Sequence, residues 1–258
     1  MENYKNLLMS PNLRLQRKNE KRWLLLRFLR QNIWSTQDII QEVIGLASRQ
    51  SAHKTLLRME NDELIRRYKY SAVGGSLTIW GITSHGQAMA FDPKMERPYS
   101  ATFEPSKISE QNIRHHLDLQ RLQLVAELKG WQNWVDGYQL GDIPKDGNRP
   151  DAIALSPHGS RVAIECERTI KSLKRYEQIL ATYLRAIKLQ KVDMVIWVTP
   201  TADISKRLKA IITGIKSVRV AGQKIAIEPD KHHINLFFTH YSAWPMFDSQ
   251  SGGHDGDT

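Results

Sequence analysis

Asp151, Glu165 and Glu167 are the residues whose types and spacing could do chemistry. Asp151 opens a segment, Asp151–Leu155, that reads as a strand, and Arg161–Glu167 reads as another across a Pro157-His158-Gly159 turn. Strands repeat every two residues, so Glu165 and Glu167 point to the same face, while Val162, Ile164 and Cys166 supply an apolar one. Acids in a buried strand are costly unless they are paired or hold a cation. Three converging carboxylates would suit Mg2+ or Mn2+, hard ions that prefer oxygen ligands. Such an ion activates water and stabilises charge on a scissile phosphate. Lys171, Lys174 and Arg175 follow closely and could meet that phosphate or pair with the acids. The structural alternative has Glu165 and Glu167 in ion pairs with Arg161, Arg168 and Lys171. Residue chemistry alone leaves both open.

The elements that must position these residues follow from periodicity. A helix is expected over Ser109–Leu128, with Ile113, Leu117, Leu124, Val125 and Leu128 at helical spacing, and it carries Glu127. A short strand around Trp134–Tyr138 and a loop rich in Asp, Gly and Pro lead to Arg149-Pro150-Asp151. After the two acidic-site strands come a long helix (Thr169–Gln190), a fully apolar strand (Val192–Val198), a helix (Ile204–Ile215) and a last strand (Ile234–Thr239). Helix, three strands, helix, strand, helix, strand is a mixed layered architecture. Tyr176 and Tyr183, one heptad apart, share a helix face, where packing is the expected role. His116 is expected as a core or capping residue, with a place beside Glu127 at the acidic site as the alternative.

Charge directs attention to the other end of the chain. The 258 residues carry a formal net charge of +10, which points to a polyanionic partner. No apolar run is long enough to span a bilayer, so membrane insertion is not expected. One cysteine, Cys166, excludes a disulfide framework and a cysteine zinc cluster. With no apolar leader in the first residues, the chain reads as soluble and cytoplasmic. Basic residues cluster from Arg14 to Arg30 around the apolar run Trp23–Leu29, the first of three expected helices. The second runs Thr36–Ile44 with Ser35 as its cap, and the third follows Ser48 to about Glu63. Leu64–Tyr70 and Leu77–Thr83 then flank Gly74-Gly75 as a hairpin, and Ser84–Ala90 forms a short closing helix. Three helices and a hairpin is the order of a winged helix-turn-helix. Its third helix would offer Arg49, Gln50, His53, Lys54 and Arg58 to a DNA groove, with Lys174 and Arg175 tracking the backbone from the second half. The expected division is a winged helix over 13–92, a proline-spaced linker over 93–108, an acidic-site domain over 109–245 and a disordered tail over 246–258.

The pattern Pro150-Asp151, then Glu165-Cys166-Glu167, after a helix carrying Glu127, resembles the PD-(D/E)xK nuclease core, the restriction-endonuclease-like αβββαβ fold with a mixed central sheet. Glu167 stands where that motif usually has lysine, leaving Lys171 or Lys174 as substitutes. Together with the winged helix and the string RPDAIAL…AIECERTIKSLKRY, the chain from Glu20 to Thr239 resembles the replication-relaxation family of plasmid proteins, and within it the MobC class of relaxases. The resemblance implies metal-dependent, strand-specific nicking of plasmid DNA at an origin of transfer. Catalytic roles would fall to Asp151, Glu165, Glu167, Lys171 and Glu127, with Asp151, Glu165 and Glu167 holding Mg2+ or Mn2+. It also implies an accessory DNA-binding mobilisation protein and a type IV coupling protein as partners. The His-hydrophobe-His cluster of most other relaxases is missing: His115-His116 and His232-His233 are adjacent pairs, and Tyr4 stands apart from any such motif. A plasmid regulator that binds DNA without cutting it is the alternative.

Overall fold

The computed structural model describes residues 10–72, 75–93, 101–141, 148–220 and 222–246. The tail from 247 onward, Gly74 of the expected hairpin turn and part of the Asp/Gly/Pro loop lie outside the described residues. The protein is α+β and divides into two compact units, Met1–Gln120 and Arg121–Thr258.

In the first unit, helix α1 (Pro11–Asn32) starts where the Ser10 hydroxyl accepts from the Leu13 amide. Its apolar run buries Leu25, Leu26, Phe28 and Leu29, and its first ten residues are exposed. Ile33 ends it in the left-handed region (φ 68°), an uncommon conformation for a β-branched residue. The chain then enters a strand that periodicity did not suggest, β1 (Trp34–Thr36). Ser35 therefore does not cap a helix: its hydroxyl donates to Gln120 Oε1 at 2.6 Å, and Thr36 is the N-cap of α2 (Gln37–Val43). Helix α3 (Arg49–Asn61) is capped as expected, with Ser48 Oγ accepting from Ser51 N. Ala52, Leu56 and Met59 form its buried side. Strands β2 (Ile65–Ala72) and β3 (Gly75–Ile82) pair antiparallel, and β1 adds antiparallel to the far edge of β3, giving the order β1-β3-β2. Helix α4 (Ser84–Ala90) closes this arrangement.

The stretch expected as a linker contains an anchored residue. Phe103 is buried, its amide donates to Ile82 O at 3.0 Å, and Arg66 donates to its carbonyl. Its ring lies so close over Gly81 that a Cβ there would overlap it.

Helix α5 (Glu110–Leu128) contains the division between the units. The second unit is built on a mixed five-stranded sheet of β4 (Gln132–Asp136), β5 (Ala152–Leu155), β6 (Arg161–Cys166), β7 (Met194–Thr199) and β10 (Leu236–His240). Its order is β10-β7-β6-β5-β4, antiparallel from β4 to β6 and parallel from β6 through β7 to β10. Parallel strands need crossovers, supplied by α6 (Leu173–Lys188) and α7 (Ala202–Thr213). Tyr176, Ile179, Leu180 and Tyr183 of α6 and Leu208 and Ile212 of α7 pack with Ala163, Val195 and Trp197 of the sheet. Strand β6 is buried on both faces from Val162 onward, so no solvated face alternates with its apolar one. Helix α6 starts later than expected, because the Ser172 hydroxyl accepts from Arg175 N and the preceding Lys171 is held in a loop. Two elements were not foreseen: a separate hairpin of β8 (Ser217–Val220) and β9 (Gln223–Ala226), and the short helix α8 (Pro229–His232). Among the described residues no helix is long and apolar enough to cross a membrane.

Candidate functional site

Strands β5 and β6 pair Ala152 with Ile164, and one further step in that register sets Asp151 opposite Glu165. The turn leaves Asp151 half-buried, with its Oδ2 accepting from the Cys166 amide at 2.8 Å. A close backbone approach helps to seat it: Gly137 N donates to Asp151 O at 2.7 Å, and a Cβ on Gly137 would overlap the Pro150 carbonyl oxygen. Register places Glu165 beside Trp197, which stacks on Phe238, so its side chain enters the core under α6. Glu165 and Glu167 are each only 4% exposed.

Burial that deep must be compensated, and the residues that do it come from α6 and the loop before β5. The Tyr183 hydroxyl donates to Glu165 Oε1, and Asn148 Nδ2 donates to the same oxygen at 2.8 Å. Arg175 in turn donates to Asn148 Oδ1 at 3.2 Å. Lys171 Nζ meets Glu167 Oε2 at 2.6 Å, and the Tyr176 hydroxyl accepts from the Lys171 amide while bonding to Glu167. Burial pushes the Glu165 carboxyl up to about 8, and Asp151 adds to the push; Tyr183 and Lys171 oppose it, and Glu167 adds a little more. Burial likewise drives the Tyr183 hydroxyl well above its ordinary range, with the Glu165 charge next in effect. These tyrosines were expected to pack. They do, and their hydroxyls also hold the carboxylates, a role that needs the folded position of α6 and is not visible in spacing.

Glu127 belongs to a different neighbourhood. It accepts from Gln123 Nε2 at 2.7 Å, and its charge bears on Asp136 of β4. Asp136, not anticipated from sequence, is buried and accepts from Trp134 Nε1 at 2.9 Å. Burial pushes its carboxyl up to about 6, with Asp151 and Glu127 adding to the shift. Strand register puts Asp136 beside Ala152 and Ile164, on the sheet face opposite Glu165. His116 is half-buried in the first unit, near Asn32 O (3.1 Å) and Trp34 O (3.4 Å) and 2.8 Å from Gln120 Nε2. Burial lowers it to about 4.

Among the described residues no three carboxylate, histidine or cysteine side chains form a ready-made metal cage. Two carboxylates facing each other across β5 and β6 are a different donor set. Mg2+ usually takes one or two carboxylates and completes its shell with water and phosphate oxygens. Asp151 and Glu165 fit that requirement, since a cation would relieve the like-charge push between them. The first turn of α6 adds positive charge next to them. It carries Lys174 and Arg175 and no acid, at the helix end where the backbone dipole is already positive. Lys174 is exposed, with no ion pair or side-chain hydrogen bond among the described residues. An anion is the natural complement of such an end.

In the first unit, Arg49, Gln50, His53, Lys54 and Arg58 are all exposed on α3. Gln50, Lys54 and Arg58 recur every four residues and form one stripe, with Arg49 and His53 beside it. Arg49, Gln50 and His53 also line a groove of about 1110 Å³ with Gln37 and Gln41 of α2, Arg67 and Lys69 of β2, and Trp80 of β3. Gln37 fixes its wall, donating to Arg49 O at 2.9 Å and meeting His53 Nδ1 at 3.1 Å. No family model, curated protein or solved structure matches this chain.

Proposed function

We propose that this chain is a metal-dependent DNA endonuclease of the relaxase type, which nicks one strand of plasmid DNA at an origin of transfer. In this reading the first unit is a winged helix-turn-helix that places α3 in a DNA groove, and the second is a restriction-endonuclease-like core. The observation that carries the reading is the pairing of Asp151 with the buried Glu165 beside the basic first turn of α6. The element order α5-β4-β5-β6-α6-β7 and the strand order β1-β3-β2 with α3 before the hairpin both suit it.

Asp151 and Glu165 would hold Mg2+ or Mn2+, and the ion would supply Lewis acidity and an activated water. Tyr183 and Asn148 fix the Glu165 carboxyl in place. Lys171 pairs with Glu167, which holds the motif's lysine position, and would substitute for that lysine. Lys174 and Arg175 offer donors to the phosphate next to the scissile one. Glu127 bears on Asp136, whose carboxyl also feels the charge of Asp151. The partners that accompany this reading are plasmid DNA, an accessory DNA-binding mobilisation protein and a type IV coupling protein, all met in the cytoplasm.

The test uses supercoiled plasmid carrying the native transfer origin, incubated with wild type, Asp151→Ala and Glu165→Ala, with Mg2+, Mn2+ or chelator. The expected result is open-circle product from wild type alone, and only with metal. Site-specific binding without cleavage under any condition would leave the second reading, a plasmid regulator that binds DNA through its first unit. One observation favours that alternative: Gln50, Lys54 and Arg58 form an exposed stripe on α3 that suits DNA binding without cleavage.

A further inference from the structure

The β8–β9 hairpin carries a charge arrangement that the proposed catalytic site does not use. Val218 lies opposite Ile225, and Arg219 lies directly opposite Lys224. Val218 is buried in the cluster formed with α6 and α7, so alternation turns Arg219 and Lys224 to the outer side of the ribbon. Both are exposed, and neither makes an ion pair or side-chain hydrogen bond among the described residues. Directly opposed like charges destabilise an antiparallel pair, and a two-stranded ribbon has little stability to spare. Lys216, at the base of the hairpin, is also exposed.

We propose that the β8–β9 hairpin grips the phosphate backbone of nucleic acid, with Arg219 and Lys224 contacting its phosphates. The inference rests on the DNA-directed reading above and adds a second, sequence-independent contact in the other unit. Phosphates between the two cations remove the repulsion that the isolated hairpin carries. A two-stranded ribbon is also narrow enough to enter a major groove. An anionic bilayer suits this surface less well, because Ile225 is the one large apolar side chain that the described residues of the hairpin expose.

The experiment measures full-length protein binding to labelled duplexes of unrelated sequence across a salt series. It compares wild type, the double variant Arg219→Ala/Lys224→Ala, and Lys224→Glu. The double variant should weaken binding to every duplex alike and lower the slope of log affinity against log salt by about 1.8, at about 0.9 per lost phosphate contact. Without DNA it should melt at the wild-type temperature or above, because the repulsion is gone. Lys224→Glu, which places a carboxylate opposite Arg219, should melt highest and bind more weakly than wild type. A double variant with wild-type affinity and slope overturns the inference and leaves the proposed function standing. Wild type that ignores duplex DNA overturns both, as does hairpin-dependent capture by phosphatidylserine vesicles in its place.

Discussion

Helix α3 and strand β6 handle charge in opposite ways. The residues Arg49, Lys54 and Arg58 stand in water along α3, where each charge keeps its hydration and costs little. Glu165 and Glu167 are almost fully buried at the end of β6, where desolvation is expensive. Each therefore has a dedicated set of partners: Tyr183 and Asn148 for one, Lys171 and Tyr176 for the other. Exposed cations are interchangeable and act by number on a long-range partner. Buried carboxylates act individually, through the few atoms that surround them, so the two regions should respond differently to substitution.

The largest difference is expected from Asp151→Asn set against Lys54→Ala. The first should lower cleavage by at least about 10²–10³-fold, the loss typical of a charge-stabilising group, while duplex binding is kept. The second should leave cleavage at saturating DNA unchanged and reduce the salt slope of binding by about 0.9. If both variants lost binding and cleavage in parallel, the separation of roles between the two regions would fail. Next comes Tyr183→Phe, which removes a donor from a buried carboxyl and should cost about 1–3 kcal/mol in denaturant unfolding. An unchanged midpoint would show that Asn148 alone satisfies Glu165.

The pH dependence of stability sharpens the same contrast, because Glu165 and His116 contribute slopes of opposite sign. Glu165 is raised from 4.5 to about 8, so between those values the folded state holds more protons and stability falls as pH rises. His116 is lowered from 6.5 to about 4, so across that range the unfolded state binds more protons and stability rises with pH. Above 6.5 the Glu165 effect stands without that opposition. Wild type should therefore lose stability from pH 6.5 to 8, and Glu165→Gln should be flat there. The smallest expected effect is on the α3 side: Ser48→Ala removes the cap and should cost about 1 kcal/mol, seen as a lower unfolding midpoint.

Much of this arrangement was legible in the sequence because it is local. The third helix is announced by Ser48 and its apolar spacing, the hairpin by alternation on either side of its glycines, and the α6 face by Tyr176 and Tyr183. What escaped depends on distant partners. Strand β1 is three residues long and exists because β3 pairs with it, which is why Ser35 looked like a helix cap. The β8–β9 ribbon is short, and its outward residues are charged. In the candidate site, spacing brought Glu165 and Glu167 to one face and Lys171 near them. It gave no sign that Asp136 lies on the opposite face with Glu127, or that two core tyrosines end on the acids, because those meetings depend on sheet register and on where α6 lands.

The most direct test of the proposed cation site is a Mn2+ binding titration of wild type and Asp151→Asn, followed by electron paramagnetic resonance at pH 8. The expected result is one saturable ion per chain in wild type, lost in Asp151→Asn. Wild type that binds no Mn2+, or an Asp151→Asn variant that binds it equally well, would contradict the assignment of Asp151 and Glu165 as the groups that hold the metal.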